Sequence, residues 1–531
     1  MSHLTTIEPT KPSSFDPHHP PAQSLLADCV HCGFCLPACP TYVLWGKEMD
    51  SPRGRVYMMQ SAAQGNAPLD QTFRRHMDNC LGCMACMTAC PSGVQYDKLI
   101  EDTRAQVERN IPRTPADSLF RRILFTTFPY PARLRALAAP LFLYQRSGLQ
   151  SLIRRSGLLK LAPKRLTAME SLLPVVPANF ASKQPTRTTP STAPRRRVGM
   201  LTGCVQQVFF SHVNAATARV LAAEGCEVIT PANQPCCGAL MVHSGLEDQA
   251  AEMARRIIAL FEQAQVETIV INAAGCGSTM KQYGHLLRDD PDWATRARAF
   301  SAKCRDITEI LTELEALEGH APAPRNPLPI RIAYHDACHL RHAQGIYQQP
   351  RQLLAGIPGL QIAEIAESSL CCGSAGVYNL LQPEPAQQLG DRKVAHLLAT
   401  HADAVVSANP GCLMQLSSGL RRAGQKELPA FHMIELLDAS IRGITPEQLT
   451  HGDKQPKPRP TAPVQPAAPA IPSSTLPPAQ LRLPSQMPSA SSRSSAQSVP
   501  KPTARRSLKD SQPHSANSPI APPSPAPTAS G

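Results

Sequence analysis

Two identical quartets of cysteines in the first hundred residues constrain this chain more than any other feature. Both quartets have the spacing C-x2-C-x2-C-x3-C, and proline follows each of them, as Pro40 and as Pro91. The quartets consist of Cys29, Cys32, Cys35 and Cys39, and of Cys80, Cys83, Cys86 and Cys90. Gaps of two residues let three thiolates of one loop bind one iron–sulfur cube, and this doubled run indicates a pair of [4Fe–4S] clusters.

The fourth cysteine of each run is expected to reach the other cube, as in two-cluster ferredoxins. The predicted ligand sets are Cys29, Cys32, Cys35 and Cys90 for one cluster, and Cys80, Cys83, Cys86 and Cys39 for the other. Zinc sites usually combine two C-x2-C pairs, without three evenly spaced cysteines followed by C-P. The doubled motif therefore favours iron–sulfur clusters over zinc or disulfides.

Length and composition indicate a protein of a reducing compartment. The 531 residues allow about three domains. No apolar run approaches the ~20 residues of a membrane-spanning helix, and the first residues lack the apolar core of a secretory signal. We therefore expect a cytoplasmic protein, in which clustered cysteines are metal ligands or redox groups rather than disulfides.

The formal charge of +13 is concentrated in two segments. Residues 109–166 carry twelve Lys and Arg against Asp117 alone, and residues 451–531 carry nine against two acidic residues. The remainder of the chain is therefore acidic on balance. No groove-reading motif is present, and Trp (2) and Tyr (9) are few, so we expect no nucleic-acid partner.

The basic segment at residues 109–172 is predicted to be a helical connector interrupted by prolines. Apolar and cationic residues alternate there at helix-like spacing. This pattern suits contact with an anionic membrane surface or with an acidic partner subunit. It also fits a packed connector whose arginines are simply solvated. We predict peripheral contact with the cytoplasmic face of the inner membrane, carried by Arg121, Arg122, Arg154 and Arg155.

An internal repeat follows a linker at residues 173–197. Its copies, at 198–320 and 328–442, alternate apolar strands with helices, which implies parallel α/β packing. Four cysteines of each copy fall at or just after strand ends: Cys204, Cys236, Cys237 and Cys276 in the first copy, and Cys338, Cys371, Cys372 and Cys412 in the second. Because open α/β sheets bind ligands at that edge, the four thiols of each copy are expected to converge.

Three interpretations of the repeated cysteines compete. They bind a metal centre such as a further iron–sulfur cluster, they form a redox-active pair, or they are inert buried thiols. An adjacent Cys-Cys-Gly in both copies argues against chance packing. Cys226 and Cys304 lack a counterpart in the other copy and are predicted to be ordinary buried thiols. His31 and His335 lie near cysteines, where a lone histidine is more often a hydrogen-bonding neighbour than a ligand.

The chain is thus predicted to be a multidomain α+β protein. A disordered arm at 1–22 precedes a mostly helical, bacterial-ferredoxin-like two-cluster module at 23–108. The connector and the linker lead to two repeated α/β cysteine-rich domains. From residue 450 to 531 the sequence is rich in Pro, Ser and Ala. Such a segment cannot bury enough apolar surface to offset its chain entropy, so we expect a disordered tail.

Motifs along residues 20–440 resemble those of the glycolate oxidase iron–sulfur subunit family. They are, in order, HCGFCLPACPTY, DSPRGRVY, NCLGCMACMTACPSGVQY, TGCVQQVFF, PCCGALMVHSG, YHDACHL, LCCGSAGVYNL and ANPGC. The resemblance implies the electron-transfer subunit of a complex that oxidises glycolate to glyoxylate. It places the substrate site and FAD on flavoprotein partner subunits and implies a quinone-level acceptor. It implies no catalytic residue in this chain, which has no G-x-G-x-x-G fingerprint.

Other interpretations stay open at this point. The chain could serve a lactate or anaerobic glycerol-3-phosphate oxidising complex, act as a heterodisulfide-reductase-like protein, or be a zinc-holding scaffold. The related cysteine-rich domains of heterodisulfide reductases bind clusters with an additional cysteine in a final C-x-x-C. The matching positions here are Thr279 and Gln415. This departure leaves a further cluster in the repeated domains undecided.

Overall fold

The computed structural model describes residues 11–178, 180–181, 184–191, 193–319 and 322–450. The tail expected beyond residue 450 and the first ten residues of the expected arm lie outside the described residues. Within the described range, no helix has the length and apolar character needed to cross a membrane.

The two-cluster module is built from short helices that the cysteine loops separate. Prolines begin two of them, and the Ser51 and Asp70 side chains cap two by accepting backbone N–H groups, at Gly54 and Phe73. Met59, Met77 and Leu99 lie in the core between the helices. The helices are α1 (Gln23–Ala27), α2 (Pro40–Trp45), α3 (Pro52–Ala63), α4 (Gln71–Asn79), α5 (Ala85–Thr88) and α6 (Tyr96–Asn110).

Residues 11–22, expected to belong to a disordered arm, are instead packed on this module. Phe15 is buried, and its ring meets Phe73 edge to face with a centroid distance of 6.2 Å. The backbone N–H of Asp16 donates to Gln106 Oε1 at 2.9 Å, and Arg109 Nε donates to the Asp16 carboxylate at 3.1 Å. A buried aromatic ring and paired polar groups fix the segment on α6.

The connector forms four helices, as its pattern predicts, but several of its arginines are engaged within the molecule. Arg121 is buried and donates to the Glu108 carboxylate at 3.1 Å and to the Ser244 carbonyl at 2.8 Å. Arg154 donates to the Glu170 carboxylate at 2.8 Å. The helices are α7 (Pro115–Thr127), α8 (Pro131–Arg146), α9 (Leu149–Ser156) and α10 (Lys164–Leu172).

The first copy of the repeat holds a five-stranded sheet in the order β1-β3-β2-β4-β5. Four strands are parallel, and β1, which belongs to the expected linker, pairs antiparallel with β3. Part of the linker therefore extends the sheet. The strands are β1 (Arg187–Thr188), β2 (Arg196–Met200), β3 (Cys226–Ile229), β4 (Thr268–Ile271) and β5 (Cys304–Asp306). The helices are α11 (Gln206–Phe209), α12 (Ser211–Ala223), α13 (Ala239–Val242), α14 (Glu247–Gln263), α15 (Ala274–Lys281), α16 (Tyr283–Leu286), α17 (Ala294–Lys303) and α18 (Ile307–Glu315).

The second copy repeats this plan with four parallel strands in the order β7-β6-β8-β9. In both copies the first strand of the repeat lies between the second and the third. The strands are β6 (Arg331–His335), β7 (Gln361–Ala363), β8 (Ala404–Ser407) and β9 (Ala430–His432). The helices are α19 (Cys338–Arg341), α20 (Gln348–Ala355), α21 (Tyr378–Leu381), α22 (Pro383–Leu398), α23 (Pro410–Arg422), α24 (Met433–Arg442) and α25 (Pro446–Thr450).

The two copies share one hydrophobic core. Val213 and Val220 of α12 belong to the same buried cluster as Leu436 of α24. Arg219 forms a bidentate ion pair with Asp438 across this contact, at 2.6 and 2.8 Å. The copies also end alike, because a capping box begins both α18 and α24. The repeat is therefore confirmed, and its copies are packed as one unit. The predicted fold class, a two-cluster module before two α/β cysteine-rich domains, is correct.

Candidate functional site

The two cysteine loops of the module have the same backbone shape. The third residue of each motif has a positive φ, 54° at His31 and 64° at Gly82. The fifth residue does as well, 88° at Gly33 and 61° at Met84. Left-handed residues between successive cysteines turn the chain back on itself, so neighbouring thiols can face a common centre. The His31 ring contacts Gln60 Oε1 at 3.1 Å, in agreement with its expected role as a hydrogen-bonding neighbour.

The neighbours of the thiols agree with crossed ligand sets. Burial raises the pKa of the Cys29 thiol, and nearby Cys90 of the other run raises it further. Burial also raises the pKa of Cys83 and of Cys86, and Cys39 of the first run contributes to both shifts. The last cysteine of each run thus lies beside the other loop. The individual ligand assignments stay predictions.

The second loop lies in a positively charged, hydrogen-bonding environment. The Arg55 side chain is fully buried and donates to the His76 carbonyl at 2.7 Å, and Arg104 donates to the Cys80 carbonyl. Cys80 Sγ accepts from the Gly82 N–H at 3.3 Å and from the Tyr96 hydroxyl at 3.6 Å. Against the effect of burial, the two arginines hold the pKa of Cys80 below its usual value. This environment stabilises thiolate, the form that binds iron, and so fits a [4Fe–4S] cluster.

The two loops differ in exposure. Cys32 of the first loop is exposed, and the adjacent Val30 and Phe34 side chains are 67% and 66% exposed. Cys80, Cys83 and Cys86 of the second loop are all buried. The first cluster loop is therefore presented to the surroundings, whereas the second is enclosed.

The second loop is enclosed by the second copy of the repeat. Leu81 and Cys83 belong to one buried cluster with Cys371 and Tyr378. The Tyr378 hydroxyl donates to the Asn79 carbonyl at 3.1 Å. The Gly82 carbonyl lies 2.8 Å from His339 Nε2, and Thr88 Oγ1 lies 2.7 Å from His342 Nδ1. Apolar packing and three polar contacts thus join this loop to the cysteine-rich half.

Thiols of both copies line one cavity of about 150 Å³. Each set comes from the carboxyl ends of three adjacent parallel strands, β3-β2-β4 in the first copy and β7-β6-β8 in the second. The lining thiols are Cys204, Cys236, Cys237, Cys276, Cys338, Cys371 and Cys412, and Cys372 lies beside them. The four thiols of each copy were expected to lie close together, because they follow the ends of adjacent strands. The meeting of the two sets at this thiol cavity was not predicted.

The second copy has the denser set of metal-binding atoms. Cys338 Sγ and Cys371 Sγ lie 3.8 Å apart. Donor atoms of His335, Cys372 and Cys412 lie within 4.8 Å of one another, close enough to bind one metal ion. Hydrogen bonds from Cys371 and Cys412, and then the His335 side chain, hold the pKa of Cys372 well below its usual value. His335 is therefore better placed to act as a ligand than its sequence context indicates.

The first copy repeats the thiols without the histidine. Hydrogen bonds from Cys236 and Cys276 hold the pKa of Cys237 well below its usual value. The Gly238 N–H donates to Cys236 Sγ at 3.4 Å. Leu201 stands three residues before Cys204, where His335 stands before Cys338. The two copies therefore offer similar thiolates but different ligand sets.

The remaining predicted positions lie away from this cavity or at its edge. Thr279 and Gln415 are buried, and neither lines it; Gln415 Nε2 donates to the Ala386 carbonyl at 2.8 Å. Cys226 and Cys304 are fully buried at strand starts, as expected of packing thiols.

Sequence reasoning missed His243, which lines the cavity and packs edge to face on His339, with ring centroids 4.8 Å apart. Its place in PCCGALMVHSG was the one available signal.

Comparison with known families matches each part of this arrangement. Residues 25–94 match the 4Fe-4S dicluster domain, and residues 198–281 and 332–417 match the cysteine-rich domain. Residues 116–173 match the linker region of the glycolate oxidase iron-sulfur subunit. The basic connector is therefore a recurrent part of this architecture.

Relatives of similar length carry the same description. The chain is 40% identical to a probable glycolate oxidase iron-sulfur subunit of Bacillus subtilis over 78% of its own length and 93% of the relative. It is 35% identical to the glycolate oxidase iron-sulfur subunit of Escherichia coli over 79% and 95%. A lactate utilization protein A of an Exiguobacterium species is 32% identical over 46% of this chain and 98% of that protein. With its dicluster module, linker helices and paired cysteine-rich domains, the chain belongs to the family of glycolate oxidase iron–sulfur subunits.

Proposed function

We propose that this chain carries electrons within a glycolate oxidase complex, from a flavoprotein subunit that oxidises glycolate to glyoxylate toward a quinone-level acceptor. The observation that carries the proposal is a continuous arrangement of thiols. An exposed cysteine loop is followed by an enclosed loop, and the enclosed loop packs against a cavity lined by seven further thiols. When bound, [4Fe–4S] clusters accept and release single electrons, which suits the partition of an electron pair delivered by a flavin.

The first loop is the proposed entry point. Cys32 is exposed between the exposed apolar side chains Val30 and Phe34. An apolar patch around a redox centre allows close approach of a partner, because water is displaced where the two proteins meet. We therefore assign this patch to docking of the flavoprotein subunit.

The second loop is the proposed link to the cysteine-rich half. Arg55 and Arg104 place two positive charges beside it. In a buried environment of low dielectric constant, these charges favour the reduced and more negative form of a cluster. Contact of Cys83 with Cys371 and Cys338 then brings the loop next to the thiol cavity.

The thiol cavity is the proposed exit. Besides thiols it is lined by Phe128, Val377 and Met414. Its ligand set fits a further metal centre, with Cys372, Cys412 and His335 as the strongest candidate ligands. Neither Thr279 nor Gln415 can complete a five-cysteine arrangement there. The four thiols of each copy and His335 are therefore the ligands to test.

The basic connector is the proposed site of contact with a membrane surface. Large apolar side chains including Leu137, Leu143 and Leu152 are more than half exposed on its helices. Because Arg121 and Arg154 are paired internally, the contact depends on the exposed Arg122 and Arg155. An amphipathic surface of this kind binds anionic headgroups through apolar side chains and flanking arginines.

The test is glycolate-dependent reduction of a quinone analogue by the complex, purified anaerobically with its partner subunits. We expect activity with the wild-type chain and none when this chain is omitted. Activity that persists without this chain would contradict the proposed role.

A second candidate function is electron transfer during lactate oxidation. It is favoured by the 32% identity with lactate utilization protein A. The matches to the glycolate oxidase subunits cover 78% and 79% of this chain, against 46% for the lactate protein, and so favour glycolate. If the same complex were active with lactate but not with glycolate, the chain would be assigned to lactate oxidation.

A further inference from the structure

A second cavity, of about 510 Å³, lies where the two-cluster module, the connector and both copies of the repeat meet. Its walls come from α4 and α6, from the connector helices α7 and α10, and from loops around Ser244 and Gly376. Six arginines line it: Arg74, Arg75, Arg104, Arg113, Arg121 and Arg165. We refer to it as the arginine cavity. It adjoins the thiol cavity, and both are lined by Leu240, His243, Ala375, Gly376 and Val377.

Acidic residues balance only part of this charge. Arg113 pairs with Asp78 at 2.9 Å, with Glu108 at 2.8 Å and with Asp117 at 3.4 Å. The same three carboxylates also serve Arg74, Arg121 and Arg165. Arg104 is engaged by the second cysteine loop. Three acids therefore serve the five remaining arginines, and two positive charges are in excess. Concentrated positive charge in a partly enclosed space is costly unless an anion offsets it.

Arg121 and Arg75 differ in how far they are engaged within the protein. The Arg121 side chain is only 7% exposed, and its Nε is buried without a hydrogen-bond partner among the described residues. Arg75 is exposed on α4 and forms no hydrogen bond or ion pair within the described part of the chain. This Nε is closed off from the cavity as well as from solvent, so the free donors that a ligand can reach are those of Arg75.

We propose that the arginine cavity binds a small organic polyanion, bearing two or more carboxylate or phosphate groups. Guanidinium groups bind such oxygens in bidentate fashion. The volume lies in the range of small-molecule sites and exceeds the need of a single inorganic ion. The Gln71, Thr114 and Ser244 side chains add polar groups to the walls. Arg75 supplies the free donors, while Arg121 and the other paired arginines add positive charge and shape the site.

The experiment measures binding of citrate and of pyrophosphate to the intact, cluster-containing protein by isothermal titration calorimetry, at constant ionic strength. The two probes separate carboxylate from phosphate recognition. We expect saturable binding of at least one of them with a stoichiometry of one. Arg75→Gln should weaken it about tenfold, the effect of one charge-assisted hydrogen bond. Because Arg75 has no partner to lose among the described residues, this variant should keep its fold and its clusters.

Arg121 and its neighbour Arg122 provide a matched pair. Arg121→Gln removes a positive charge from the cavity wall, whereas Arg122→Gln removes an equal charge from the exposed side of the same helix. We expect Arg121→Gln to weaken binding and Arg122→Gln to leave it unchanged. Absence of saturable binding for both probes would overturn the proposal, and so would equal weakening by Arg75→Gln and Arg122→Gln. Either result would mean that the arginines form an ion-pair network and do not build an anion-binding site.

Discussion

The first and second cysteine loops have the same spacing and the same left-handed backbone positions, yet they lie in opposite environments. The first loop exposes Cys32 and carries exposed apolar side chains on both sides. The second is buried against the cysteine-rich half and has Arg55 and Arg104 beside it. The motif therefore determines what each loop binds, and the surrounding protein determines what each cluster exchanges electrons with. On the proposed function, this difference sets the direction in which electrons pass through the module.

Replacing one ligand in each loop should have the largest effect. Cys83→Ser is expected to remove the second cluster and, through the crossed ligands, to loosen the first, so that iron falls from about eight atoms per chain to four or fewer. Electron transfer should fall at least a hundredfold, because the enclosed link is lost. Iron analysis with EPR spectroscopy of the reduced protein measures this.

Cys32→Ser is the matched change in the exposed loop. It should also remove one cluster but leave the packing against Tyr378 intact. Iron near four atoms in the wild-type chain, without spin coupling between two centres, would contradict the paired-cluster interpretation.

The arginines beside the loops should differ strongly in their contribution to stability. Arg55→Gln is expected to lower the free energy of unfolding by about 3 kcal/mol, because the Asp50 carboxylate loses a buried cation. Arg53 is partly exposed and pairs with Glu48 near the first loop. Arg53→Gln should change stability by about 0.5 kcal/mol or less. Denaturant unfolding under anaerobic conditions compares the two, and equal losses would mean that burial does not distinguish the loops.

The exposed patch of the first loop should matter for partner docking and not for folding. Phe34→Asp is expected to slow electron transfer from the flavoprotein about tenfold, the effect of a single interface residue. Its unfolding free energy and iron content should stay close to wild type, since Phe34 is largely exposed. Chemical reduction by dithionite is the control. If transfer from the flavoprotein is unchanged, the entry point lies elsewhere.

The smallest effect is expected on the connector. Reversing Arg122 and Arg155 to Glu should reduce binding to anionic phospholipid vesicles a few-fold, as each exposed charge contributes ~1 kcal/mol or less. Reversing Arg121 and Arg154 should instead destabilise the protein, because both are paired within it. Vesicle sedimentation at low and high salt measures binding. Loss of subunit assembly with unchanged vesicle binding would identify a docking surface for protein.

Features governed by local spacing could be predicted from the sequence. Cysteine loops, strand ends with their thiols, and the repeat all follow from residues close together in the chain. The module was expected to be mostly helical, and the prolines and caps at its helix starts account for that result.

Features that depend on distant contacts could not be predicted. Arg121 donates to Glu108 and to a carbonyl more than a hundred residues away, and it therefore lies inside the fold. Its charge in the sequence indicated an exposed position because neither partner is close to it in the chain. The arm was expected to be disordered because the partners of Phe15 and Asp16 lie far along the chain. The shared thiol cavity depends on how two copies pack together, which no single copy encodes.

The most direct test of the account is made on the Cys371→Ser/Cys372→Ser variant in the assembled complex. EPR spectroscopy after addition of glycolate should show both module clusters reduced, while reduction of the quinone analogue is lost. Cys236→Ser in the first copy, which lacks a counterpart of His335, should retain part of the activity. Full acceptor reduction by the double variant would contradict the account, because electrons would then leave from the module and the repeated cysteines would only pack the fold.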